Sequence, residues 1–214
     1  VHIDIVSDLV CPWCFIGKRR LARALAQRPD ISVSTSWRAF QLNPDVPEGG
    51  VSREAYLATK FGSPTRAARV YDTMRDTGAA EGIDFAFDRI RRTPNTVAAH
   101  RLVRFAAKQG KADRLVEALF RAYFEQGRDT GKIEVLADIA AESGFERQAA
   151  LRWLESGAAL AEILEEDRNA RRLGITGVPC FIIDGGYALS GAQEPEFFLP
   201  LFDLAQNAAV AAYE

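Results

Sequence analysis

Strand-forming segments lie only near the two ends of this 214-residue chain, and everything between them is patterned as helix. His2-Ile3-Asp4-Ile5-Val6 alternates apolar and polar residues, as a short strand does, and Ile31 to Phe40 forms a second such run. Between them, Ile16, Leu21, Ala22 and Leu25 set the helical face of a segment that Pro29-Asp30 stops. Strand signals return only at Pro179-Cys180-Phe181-Ile182-Ile183, followed by an Asp184-Gly185-Gly186 turn and Tyr187-Ala188-Leu189. A final helix is expected from Pro195, kinked at Pro200. Any sheet that joins these strands must bring the two ends of the chain together across a helical insertion.

That insertion runs from residue 52 to residue 173. Ser63-Pro64 and Thr93-Pro94 read as capping residues followed by first-turn prolines. Gly110, Gly127, Gly144 and Gly174 close the helices, with Gly144 expected just past a helix end. The order is β-α-β, a large all-helical insertion, then β-β-α, an α/β chain whose two ends form a thioredoxin-like fold. The expected division is 1–50 and 175–214 for the sheet-bearing part and 52–173 for the helices.

Composition removes several functions. The net charge is −2 and the pI about 5.8, so the chain has no general attraction for nucleic acid or anionic lipid. No apolar run approaches the roughly 20 residues of a membrane helix. The N-terminus shows no basic segment, apolar core and cleavage site in succession, so a cytoplasmic location is expected. Three cysteines make no disulfide framework. In a reducing compartment, a C-x-x-C such as Cys11-Pro12-Trp13-Cys14 is catalytic or metal-binding rather than structural. Beyond that pair only Cys180, His2 and His100 remain as metal ligands, so no metal is expected.

A thiolate, not a thiol, attacks a disulfide. Cys11 stands where the first strand has ended and a helix begins, and the unpaired N–H groups there favour an anion. Cys14 follows one helical turn later, near enough to close an intramolecular disulfide but more enclosed. Cys11 is therefore expected to be the exposed nucleophile and Cys14 the resolving thiol. Pro12 suits a first helical turn, and Trp13 supplies apolar surface beside the sulfur.

Four stretches then line up along the chain. They are Ser7-Asp8-Leu9-Val10-Cys11-Pro12-Trp13-Cys14, Pro94-Asn95-Thr96 with Ala99-His100-Arg101-Leu102, Gly174-Ile175-Thr176-Gly177-Val178-Pro179, and Ser190-Gly191-Ala192-Gln193. With them the chain resembles the DsbA-like branch of the thioredoxin superfamily. It is most similar to the FrnE-like subgroup, related to 2-hydroxychromene-2-carboxylate isomerase and kappa-class glutathione transferases. The resemblance implies a thiol–disulfide oxidoreductase acting on protein disulfides or on small thiols, with no bound cofactor and glutathione as a redox partner. It implies that Pro179 is cis and faces Cys11, and that the Val178 backbone receives an extended substrate segment. The alternative on the same fold is a glutathione-dependent isomerase or transferase. There a serine often stands at the Cys11 position, and the presence of both cysteines argues against it.

Two departures stand out. Relatives often carry a buried acid six residues before the nucleophile, where this chain has Ile5, so Asp8 or water would have to move protons. For Asp8 itself a loop or helix-capping role is the commoner explanation. Cys180, directly after Pro179, reads as a buried core cysteine rather than a third redox thiol. His100 reads as a histidine at the edge of a core helix with a satisfied hydrogen bond.

Overall fold

The computed structural model describes residues 1–211, so the last three residues of the expected 175–214 segment lie outside it. Strand β1 (His2–Ser7) leads into helix α1 (Pro12–Ala26) and then strand β2 (Ser34–Ala39). After the insertion come β5 (Cys180–Ile183), β6 (Tyr187–Ser190), a 3-10 turn at Pro195–Phe197 and helix α9 (Leu199–Ala211). The four strands form one sheet in the order β2-β1-β5-β6. β1 runs parallel to β2, with His2 opposite Ser34 and Ser7 opposite Ala39. It is antiparallel to β5, with Ile3 opposite Ile183 and Val6 opposite Cys180. The ends of the chain therefore meet along β1.

The insertion supplies α2 (Arg53–Phe61), α3 (Pro64–Ala80), α4 (Val97–Ala107), α5 (Ala112–Phe124), α6 (Ile133–Glu142), α7 (Arg147–Glu155) and α8 (Leu160–Arg172). One expectation fails here. The segment is not all helix, because Val51–Ser52 (β3) pairs antiparallel with Arg92–Thr93 (β4). Gly50, at φ +70°, turns the chain into β3, and the Arg92 guanidinium donates to the carbonyls of Gly49 and Gly50. A ladder of two residues has no alternation to detect. With Thr93 paired in β4, helix α4 starts later than expected. Thr96 stands at its cap, and Asn95 Oδ1 accepts from Val97 N at 3.0 Å. Ser63 does cap α3, accepting from Arg66 N. Pro200 kinks nothing, since it falls in the first turn of α9, where its missing N–H is not needed.

Sheet and insertion share one apolar interior. Ile3 and Ile5 of β1, Phe15 of α1, Leu119 and Phe120 of α5, Leu136 of α6 and Phe181 of β5 belong to a single buried cluster. Phe15 is its pivot: its ring stacks on Phe120 at 5.1 Å and meets Phe85 edge-on at 6.1 Å. α1 is thereby held between the sheet and the helices. On the other face of β1 a smaller cluster joins Val6, Phe40, Ala170 and Cys180.

α1 also approaches the β5 end closely. A Cβ at Gly17 would lie 2.9 Å from Pro179 Cγ and 3.1 Å from Phe181 Cζ. Gly17→Ala gains helix propensity worth about 1 kcal/mol, but forcing a methyl against a rigid proline costs about 1–3 kcal/mol. The variant is expected to be less stable in urea denaturation. A midpoint at or above that of the parent protein would show that the Pro179 loop yields freely.

Candidate active site

The end of β1 and the start of α1 build one half of the site. Cys11 N donates to Asp8 O at 3.1 Å, which closes the turn, and Cys11 itself is the extended residue (φ −94°, ψ 111°) before the helix. Its carbonyl accepts from Cys14 N at 3.1 Å and Phe15 N at 3.4 Å, so it opens the helical ladder. Pro12 occupies the first turn. The two cysteines approach to 3.3 Å and are both free thiols. Trp13 is half-buried and packs on the main core.

The loop before β5 builds the other half. The Val178–Pro179 peptide is cis, and the Cys11 thiol donates to the Val178 carbonyl at 3.4 Å. β1–β5 pairing sets this contact, because the ladder stops at Val6 opposite Cys180 and leaves residues 178 and 179 level with the turn after β1.

Cys11 is not exposed as expected: it is 3% accessible, against 1% for Cys14. The Val178 carbonyl occupies the side of the sulfur that a bare helix terminus would leave open. Cys14 differs from it in chemistry more than in exposure. Burial holds the Cys14 thiol well above its ordinary range, and hydrogen bonding to Cys11 and the neighbouring Cys11 charge push it the same way. Contacts with Ser7 and the Asp8 backbone N–H oppose that shift. Cys14 thus keeps its proton while Cys11 stands at the helix N-terminus.

Asp8 does not cap α1, whose first residues receive no side-chain cap. Its carboxylate is buried, with Oδ2 accepting from Leu42 N at 2.7 Å and Oδ1 lying 3.4 Å from His100 Nε2. His100 is buried, but its Nε2 has no well-aligned hydrogen bond among the described residues, so the satisfied core-edge histidine is not what the fold contains. Asp8 and His100 come from opposite sides of the β3–β4 segment in sequence, and no local pattern could pair them. Ser7, at the end of β1, is buried with no side-chain hydrogen-bond partner among the described residues, and a strand-end serine has no signature of its own. Cys180 is buried in the smaller cluster, with its thiol pushed up by burial, and so belongs to the packing. Among the described residues, no group of three or more His, Cys, Asp or Glu side chains is placed to hold a metal ion. No described helix is long and apolar enough to cross a membrane.

A strand-to-helix C-x-x-C facing a proline loop, on a four-stranded sheet with a helical insertion, defines a thioredoxin-fold dithiol protein. A model of the DSBA-like thioredoxin domain matches residues 2–202, and the chain belongs to that family. The uncharacterized protein YwbO of Bacillus subtilis (strain 168) is 26% identical over 205 residues, covering 92% of this chain and 94% of its own. The crystal structure of a probable DsbA oxidoreductase from Streptomyces coelicolor is 30% identical, with a TM-score of 0.86 over 96% of this chain and 90% of that one. The cytosolic disulfide reductase DsbM from Pseudomonas aeruginosa, solved with GSH, shares the fold at 19% identity, with a TM-score of 0.67 over 97% and 100% of the two chains.

The raised Cys14 thiol has a consequence for stability. In the unfolded chain it titrates near 9.0, and in the folded chain well above that. The folded state therefore holds a proton that the unfolded state loses between those values. The associated stability is full below about pH 9 and falls as pH rises, by at most about 1.4 kcal/mol per pH unit. Urea denaturation of the reduced protein should show this decline, and Cys14→Ser should show less of it. Cys180 shifts in the same direction and is common to both, so the difference between the two proteins is the readout. Parallel pH profiles would contradict the assignment.

Proposed function

We propose that this protein is a thiol–disulfide oxidoreductase in which Cys11 attacks and Cys14 resolves. The observation that carries the reading is the contrast between two cysteines that approach to 3.3 Å. Cys11 stands at the N-terminus of α1, the positive end of the helix dipole, whereas Cys14 is buried one turn inside and retains its proton. Cys11 Sγ forms a bond to one sulfur of a substrate disulfide and expels the other as a thiolate. Cys14 then bonds to Cys11 Sγ and expels the second. The substrate disulfide gains two electrons, and the Cys11–Cys14 dithiol becomes a disulfide.

The Val178 main chain is the natural guide for the substrate. Its carbonyl already faces Cys11, and an extended peptide laid beside the cis-Pro179 loop would place a cystine sulfur at the nucleophile. Pro12 and Trp13 shape the same face. Protein disulfides and glutathione are both within the chemistry of this site, and the reaction needs no bound cofactor. Sparse cysteine usage supports a reducing cytoplasm as the setting. The GSH bound in DsbM, on the same fold, supports glutathione as a partner.

Single cysteine variants test the reading. Cys14→Ser should accumulate a mixed disulfide with glutathione or a substrate protein, visible by mass spectrometry, because nothing remains to expel the partner. Cys11→Ser should lose disulfide exchange and trap little. Equal trapping by both variants would defeat the assigned roles. Full glutathione-dependent isomerisation of a small aromatic substrate by both would instead favour an isomerase on this fold.

A further inference from the structure

The stretch Ser190-Gly191-Ala192-Gln193 leaves β6 and fastens itself to the loop that carries Pro179. Gly191 N donates to Pro179 O at 2.8 Å, and Gly191 reaches that position with φ +82°. Gln193 closes the turn, its N donating to Gly191 O and its Nε2 to Ser190 O, both at 2.9 Å. Helix α1 flanks this turn. A Cβ built on Gly17 would meet Ala192 Cβ at 3.6 Å as well as Pro179 Cγ. One turn further along α1, Arg20 Nη1 donates to the Ala192 carbonyl at 2.5 Å.

Arg20 is the most enclosed arginine of α1, its side chain 11% exposed against 26% for Arg19 and 56% for Arg23. Each edge of its guanidinium has a different partner. Nε donates to Glu81 Oε1 at 3.0 Å, Nη1 to the Ala192 carbonyl, and Nη2 pairs with Glu194 Oε1 at 2.5 Å. Glu81, at the end of α3, is buried and also accepts from Arg23 Nη1 at 2.9 Å. A buried carboxylate from the helical insertion thus fixes one edge of a planar cation, and the other edges fix the turn after β6.

We propose that Arg20, oriented by Glu81, is a positioning residue that selects extended polypeptide disulfides over small ones. The proposal deepens the disulfide-exchange reading above and rests on it. Arg20 holds Ala192, the adjacent Gly191 holds the Pro179 carbonyl, and the preceding Val178 carbonyl accepts from the Cys11 thiol. An extended peptide laid along Val178 pairs with main chain whose place this brace sets, whereas a small disulfide needs only the Cys11 sulfur. Arg20 stands nine residues after Cys11, about 13 Å along the helix axis, so it acts through the turn and not on the sulfur.

The test compares two disulfides. Reduced protein is mixed with increasing amounts of a disulfide-linked pair of short extended peptides, or with dithiobis(nitrobenzoate), which has no main chain to pair, and thiol release is followed. Arg20→Lys keeps a cation beside Glu81, but one ammonium cannot span three acceptors set around a planar fork. It should raise the half-saturating peptide concentration about tenfold, the loss of roughly one hydrogen bond. The limiting rate and the rate with dithiobis(nitrobenzoate) should hold. Short of saturation, the ratio of the two second-order rate constants carries the same tenfold change. Arg20→Gln and, from the α3 end, Glu81→Gln replace Arg20→Lys where it fails to fold, with the same direction expected. Arg23→Met removes a cation from Glu81 without touching the turn and should match the parent. A parent-like preference in folded Arg20 variants would overturn the proposal, as would equal slowing with both disulfides or the same shift in Arg23→Met. A parent protein that releases thiol from neither disulfide would instead defeat the disulfide-exchange reading.

Discussion

The antiparallel pairing of β1 with β5 is the contact on which the rest of this molecule depends. It joins residues from opposite ends of the chain, with Ile3 against Ile183 and Val6 against Cys180. Because the ladder ends there, the next residues on one strand run into the Cys11 turn, and the preceding residues on the other form the Val178–Pro179 loop. The site is the place where two strands stop pairing. A slip of one residue would turn Ile3, Ile5 and Ser7 to the face now held by Val6 and Phe40, and move the proline away from the sulfur. The large apolar residues at positions 3, 5, 181 and 183, all 2% accessible or less, hold that register.

The helical insertion completes the arrangement by holding α1 from behind. Phe15, adjacent to Cys14, stacks on Phe120 of α5, so the inner cysteine sits next to the residue that anchors its helix. Ion pairs continue the attachment along α1: Lys18 to Asp113 and Glu117, Arg19 to Glu117, Arg20 and Arg23 to Glu81. Arg20 also donates to the Ala192 carbonyl, beyond β6. Most of these groups are partly buried and the Glu81 side chain is only 2% exposed, so desolvation offsets much of their attraction. Their value here is directional, since they fix the rotation of α1 about the Phe15 pivot and hence the heading of both sulfurs.

Much of this was legible in the residues. Alternation in positions 2–6 and 179–183, helical spacing between them and a C-x-x-C at a strand-to-helix junction specify the fold and the pair proposed to react, because each is a local pattern read along the chain. What stayed hidden depends on contacts between distant segments. The β3–β4 ladder is two residues long and rests on Arg92 reaching the Gly49 and Gly50 carbonyls. Asp8 resembles a capping residue by its place before a helix, yet its carboxylate accepts from Leu42 N and lies 3.4 Å from His100 Nε2. The burial of Cys11 is equally non-local, because the group that covers it is a carbonyl contributed from residue 178.

The proposed division of labour between the cysteines rests on the geometry of a single helical turn. Both are free thiols in one short motif, and neither is accessible beyond 3%. Three residues along α1 carry the sulfur from the helix terminus, where N–H groups point outward, into an interior of phenylalanine rings. At the first position negative charge meets the positive end of the helix dipole, and at the second it meets desolvation. A sulfur kept protonated in such an interior cannot resolve a mixed disulfide until its proton has somewhere to go.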